Sequence, residues 1–82
     1  MRLLYFGRLA EVAGSRGGEV AVPDEVTTVA DLRNWIGTRQ PELGAVLASP
    51  TVRVVINDAY AADDHPLIGV TEIAFIPPVS GG

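Results

Sequence analysis

The chemistry this chain can offer is concentrated at its far end, in Pro77-Pro78-Val79-Ser80-Gly81-Gly82. Two glycines there bury nothing and lose the most backbone entropy on ordering, so a packed body gives no reason for them. A slim arm that must enter a narrow site does. Pro77 and Pro78 cannot donate to a strand ladder and favour an extended φ, so they should launch the segment away from the body. Fully extended, residues 77–82 reach roughly 20 Å. The reactive group would be the α-carboxylate of Gly82, an anion at neutral pH with an ordinary pKa of roughly 3.3 to 3.7 and therefore a poor electrophile. It must be activated before it transfers anything. Adenylation by ATP supplies a leaving group, and the acyl–phosphate bond then yields to an amine, a thiol or a persulfide. Gly81 would leave clearance for partner backbone around that carbonyl. With no phosphate loop and no convergent acid–base set in the chain, partner proteins must supply the activation and the later steps.

Other candidate residues read as structural. His65, the sole histidine, sits between Asp64 and Pro66 in an expected loop, with no partner of the triad kind assignable to it. Asp58, Asp63 and Asp64 lack the ligand spacing of a calcium loop, and no metal is expected. Gly17-Gly18 reads as a turn. Phe75, Pro77, Pro78 and Val79 are candidate partner contacts at the root of the tail. Strand alternation sets Ile73 and Phe75 on one face and Ala74 and Ile76 on the other, so Phe75 either docks a partner or lies in the core.

The body that must position the tail is a single small domain over residues 1–76, with a flexible diglycine tail over 77–82. Its 82 residues are 48% hydrophobic, which suits a compact fold. Arg2 to Gly7 reads as a first strand covered on both faces, and Leu9 to Ala13 as one helical turn closed by Gly14. A second strand is expected over 19–22. Thr28-Val29-Ala30-Asp31 has the form of a capping box that opens the main helix. Val29, Leu32 and Ile36 make its apolar stripe, with Trp35 alongside and Arg33, Asn34 and Arg39 on polar flanks. Gly37 should weaken its last turn by roughly 1 kcal/mol relative to alanine, and Pro41 bounds it. A short helix over 42–48 precedes a β-branched strand over 52–57, and Asn57-Asp58 signals a turn. After a loop through His65, Glu72 to Ile76 forms the last strand and leads directly into the tail.

Composition narrows the partners. There is no cysteine, so disulfides, thiolate metal sites and a cysteine nucleophile are excluded. All six basic residues are arginine, so the chain can neither form lysine-linked chains of itself nor do Schiff-base chemistry. The net charge of −4 argues against nucleic acid and for basic partner surfaces. No apolar run matches a bilayer and residues 1–7 read as a strand, so no membrane span or signal peptide is expected and the cytoplasm is the expected location.

The ending Phe75-Ile76-Pro77-Pro78-Val79-Ser80-Gly81-Gly82, with Val55-Ile56-Asn57 and Asp64-His65-Pro66-Leu67 before it, resembles the small, sulfur-carrying subunits of molybdopterin synthases. Leu4-Tyr5-Phe6-Gly7, with Glu11 and Gly14 downstream, and Thr28 to Leu32 extend the resemblance to the whole chain. It implies an α+β, ubiquitin-like β-grasp fold, with a mixed sheet packed against one main helix and the first and last strands side by side. It also implies that an E1-like adenylyltransferase activates Gly82 with ATP and that a sulfur donor protein converts it to a thiocarboxylate. The tail, with Phe75 and Pro77, Pro78, Val79 and Ser80 as the implied contact segment, then enters the large catalytic subunit, where its sulfur passes to cyclic pyranopterin monophosphate. By that resemblance the chain binds no cofactor and has no active site of its own. It departs from the common family pattern at Ala10, where an arginine is usual, and at Val70-Thr71-Glu72, where Gly-Asp-Glu is usual. A paralogous carrier for thiamine, cysteine or tungsten-cofactor synthesis, and a ubiquitin-like protein modifier, remain alternative readings.

Overall fold

Alternation within β1, β3 and β5 decides which face of the sheet is buried, and the three strands agree on it. A computed structural model of the chain describes residues 1–78, so the expectations for Val79, Ser80, Gly81 and Gly82 fall outside the described residues. The elements run β1 (Arg2–Tyr5), α1 (Arg8–Ala13), β2 (Gly17–Glu19), α2 (Val29–Arg39), α3 (Pro41–Leu47), β3 (Arg53–Ile56), β4 (Ala59–Ala61) and β5 (Glu72–Ile76). The sheet order is β2-β1-β5-β3-β4. Only β1 and β5 pair in parallel, in the register Arg2↔Glu72 to Tyr5↔Phe75. The chain's first and last strands thus lie together at the sheet's centre, as the resemblance implies.

Leu3, Tyr5, Val54, Ile56, Ile73 and Phe75 share one face and meet Leu9, Leu32, Ile36, Leu43 and Leu47 from the helices, all of them buried in one cluster. Each such side chain contributes roughly 1.5 to 3 kcal/mol by leaving water. The opposite face carries Leu4, Val55, Ala74 and Ile76, none fully buried, and Tyr60, which is 64% exposed. Among the described residues no helix lies across that side, so they cover β1 on one face and not on two.

The capping box forms as written. Thr28 Oγ1 accepts from the Asp31 N–H at 3.2 Å, and Asp31 Oδ2 accepts from the Thr28 N–H at 3.2 Å. The same oxygen accepts from the Thr27 N–H and hydroxyl, each at 3.1 Å. These bonds, those from Thr27 foremost, hold the Asp31 carboxyl below its ordinary range. At the far end Pro41 occupies the first turn of α3, where its missing N–H costs nothing. Gly37 is also one half of a crossing: a Cβ on Gly44 would sit 2.3 Å from the Gly37 Cα, so both glycines let α2 and α3 touch backbone to backbone.

Several expectations are corrected. The second strand is centred earlier, at Gly17–Glu19, with Val20 still exchanging hydrogen bonds with Met1. Gly17 is therefore a strand residue and not a turn; a Cβ there would lie 1.9 Å from the Leu3 carbonyl oxygen. Asn57 and Asp58 do make the turn, both at positive φ, but it closes a hairpin onto β4, which was expected to be loop. Ala59-Tyr60-Ala61 has little strand propensity of its own. Its pairing follows from the turn and from Val55 opposite Tyr60. Arg33 leaves the polar flank to bridge four segments, donating to Asp63 Oδ1 at 3.1 Å, to the Val52 carbonyl at 2.9 Å and to the Leu47 carbonyl.

Candidate functional site

The described residues that matter for the tail are those at its root, where β1 and β5 end side by side. Phe75 is fully buried and stacks on Tyr5, with ring centroids 5.7 Å apart and planes 18° from parallel. The expectation that Phe75 contacts a partner is corrected: its ring is core, because parallel pairing with β1 turns it under the helices. That burial pushes the Tyr5 hydroxyl pKa up from its ordinary value. The ring that does face outward is Phe6, 49% exposed, whose N–H donates to the Phe75 carbonyl at 3.1 Å. Alternation from Tyr5 carried that signal in the sequence, and the motif reading passed over it.

One residue later the chain must leave the sheet and start α1. Gly7 makes that turn at φ 55°, and Pro77 lies against it so closely that a Cβ on Gly7 would come 3.1 Å from the Pro77 Cγ. Pro77 is thereby half-buried at the foot of the tail, and Pro78 is exposed. The structure brings Phe6, Gly7, Pro77 and Pro78 together.

Next to this root runs the uncovered face of the sheet. Register sets Leu4 beside Ala74, Ala74 beside Val55 and Val55 beside Tyr60, an apolar row across four strands. Ile76, the residue before Pro77, is opposite Arg53, whose guanidinium lies 3.9 Å over the Tyr60 ring. Such a cation–π contact holds a charge flat against an aromatic and keeps it available at the rim. Arg2 and Glu72 pair at 3.7 Å at the other end of the same face.

The remaining candidates lie elsewhere. His65 acts through its backbone: its carbonyl accepts from the Val29 N–H at 3.1 Å, and its Nδ1 is 2.8 Å from the Pro66 oxygen. The loop is stitched to the start of α2 by these bonds and by Leu67 N–H to the Thr27 carbonyl. Asp63 is engaged by Arg33. Among the described residues no group of three or more His, Cys, Asp or Glu side chains could hold a metal ion. No helix among them is long and apolar enough to cross a membrane. Of the departures from the common pattern, Ala10 and Val70 pack against the core and Thr71 is exposed.

Among the described residues, the end of the sheet at Phe6, Gly7, Pro77 and Pro78 thus has an apolar face beside it. A family model described as the ThiS family matches residues 3–82. The chain is 30% identical over 82 residues to the molybdopterin synthase sulfur carrier subunit of Escherichia coli (strain K12), covering 100% of this chain and 99% of that protein. It also superposes on the crystal structure of SAMP1 from Haloferax volcanii with a TM-score of 0.80 and 35% identity, over 100% of this chain and 98% of the other. A second crystal structure, titled as the small archaeal modifier protein 1 of the same organism, gives a TM-score of 0.76 and 32% identity over 96% and 97% of the two chains. These neighbours share the ubiquitin-like β-grasp fold.

Proposed function

This chain belongs to the ThiS family, and from that membership we propose that it is a sulfur carrier, the small subunit of a molybdopterin synthase. The likeness along the whole chain to a relative named a molybdopterin synthase sulfur carrier subunit is the observation that carries this reading. The sequence ending in Gly81-Gly82 supports it, because glycine leaves the room an enclosing active site needs.

In this reading an E1-like enzyme in the cytoplasm uses ATP to adenylate the Gly82 carboxylate, releasing pyrophosphate. A donor persulfide then attacks the acyl carbon and AMP departs. A further thiol takes up the outer sulfur's partner as a disulfide, leaving the thiocarboxylate on Gly82. The large subunit receives the tail and passes its sulfur to cyclic pyranopterin monophosphate. The chain's own contribution is binding and presentation. Phe6, Pro77 and Pro78 with the row Leu4-Ala74-Val55 form the surface a partner covers, and Val79 and Ser80 continue the contact into its channel. Phe75 supports the root from inside.

The test is reconstitution with the activating enzyme, ATP and a sulfur donor, followed by intact-protein mass spectrometry. The full chain should gain the mass of one oxygen-to-sulfur exchange, and a chain lacking Gly82 should gain none while keeping its fold. Molybdopterin formed at the normal rate with the truncated chain would sink the carrier reading. The resemblance to the archaeal modifier structure favours one second reading, conjugation to lysines of target proteins. Isopeptide adducts of Gly82 on many lysines, with no sulfur exchange, would decide for it.

A further inference from the structure

The end of the molecule opposite the tail carries a groove that the carrier chemistry does not use. The groove has a volume of about 780 Å³ and its apolar wall is made by Met1, Val20, Val22, Val26, Leu67 and Ile68, the last 91% exposed. Arg2 and Glu72, paired in register, begin β1 and β5 at this end, whereas Tyr5 and Phe75 mark the tail end. The length of β1, roughly 13 Å, separates the two.

Two further features converge on the groove. The first is an open strand edge, since β2 is the outermost strand on that side. The Val20 N–H donates to the Met1 carbonyl at 2.8 Å and the Val20 carbonyl accepts from Met1 N at 3.1 Å, so both groups of Val20 point inward. Alternation then turns the N–H and C=O of Glu19 outward to the free edge, just where the chain enters the groove at Val20 and Ala21. The second is charge. Asp24 lines the groove, and the exposed Glu19 and Glu25 each adjoin a lining residue. Among the described residues that line it, the sole cationic group is the Met1 amino group, already 3.4 Å from Glu19 Oε2.

From this arrangement we propose that the groove docks an extended segment of a partner protein, added as a strand to the edge of β2, with an aliphatic side chain in the groove and flanking lysine or arginine against the acidic rim. A second copy of this chain is disfavoured as occupant, because edge-to-edge pairing would set Glu19, Asp24 and Glu25 of two chains, each of net charge −4, against one another. An occupant here leaves the tail free, so a partner can hold the carrier while Gly82 is inside another active site.

The experiment is a titration of the full isotopically labelled chain with acetyl-Arg-Val-Ile-Val-Arg-amide and its charge-reversed glutamate counterpart, followed by amide NMR. The basic peptide should give saturable shifts at residues 18–22, 26–27 and 67–68 and bind about tenfold more tightly than the acidic one. Ile68→Ser should weaken it about tenfold, and Asp24→Arg should erase the preference for the basic peptide. Shifts centred on Phe6, Gly7 and Ile76, equal binding of the two peptides, no shift at about 1 mM peptide, or a concentration-dependent dimer occupying the groove would each overturn the proposal. Peptide binding is read without any tail chemistry, so its failure would leave the carrier reading standing, and the reverse holds equally.

Discussion

The two faces of the sheet are built from the same strands and differ in what completes them. On the helix side the residues of β1, β3 and β5 find neighbours within the chain: Tyr5 stacks on Phe75, and Leu3, Val54 and Ile73 share one buried cluster with Leu32, Ile36, Leu43 and Leu47 of α2 and α3. On the other side Leu4, Val55 and Ala74 form a row of apolar residues that no helix covers. Under the proposed function, this row beside Pro77 is the surface that a partner would cover. Damage to one face should therefore appear as lost stability, and damage to the other as lost partnership.

That contrast can be broken by measurement. Phe75→Ala should have the largest effect, a loss of about 3 to 5 kcal/mol in urea unfolding, because it empties a fully buried site under the helices. A loss no larger than that of a surface change would mean that Phe75 is not core. Gly44→Ala should cost about 1 to 3 kcal/mol, since the new methyl must displace the Gly37 backbone. Phe6→Ser tests the other side: unfolding should shift by about 1 kcal/mol or less, while sulfur transfer with the large subunit falls about tenfold. If stability fell and transfer did not, the division of labour between the faces would be refuted. The smallest effect concerns pH. Asp31 has its pKa depressed on folding, so its cap stabilises above the ordinary carboxylate value of 3.8 and loses that contribution as pH falls through the folded value. The melting-temperature gap between the natural chain and Asp31→Asn should accordingly be open at neutral pH and close in acid.

What the sequence disclosed, it disclosed through local rules. Thr28 and Asp31 announced the start of α2, Gly14 the end of α1, and the prolines the end of β5, since each is a backbone requirement met by neighbouring residues. What it withheld depends on contacts distant in sequence. Gly37 shows its purpose only opposite Gly44, and Gly17 only opposite Leu3. Arg33 looks like any polar flank residue until the ends of α3 and β3 arrive beside it. The same limit governed the site. Alternation told that Tyr5 and Phe6 face opposite ways, yet that Phe75 shares the buried face with Tyr5 was decided by the parallel register of β1 and β5, which the sequence of either strand alone does not set.

The placement of β5 has a mechanical meaning as well. It lies between β1 and β3, and the tail continues it directly. A pull on the tail along the strand axis loads both ladders in shear, so their hydrogen bonds resist together and not one after another, as they would if an edge strand were peeled away. Under the proposed carrier reading, the domain would therefore serve a partner enzyme as a stiff handle, one that a pull along β5 does not peel open.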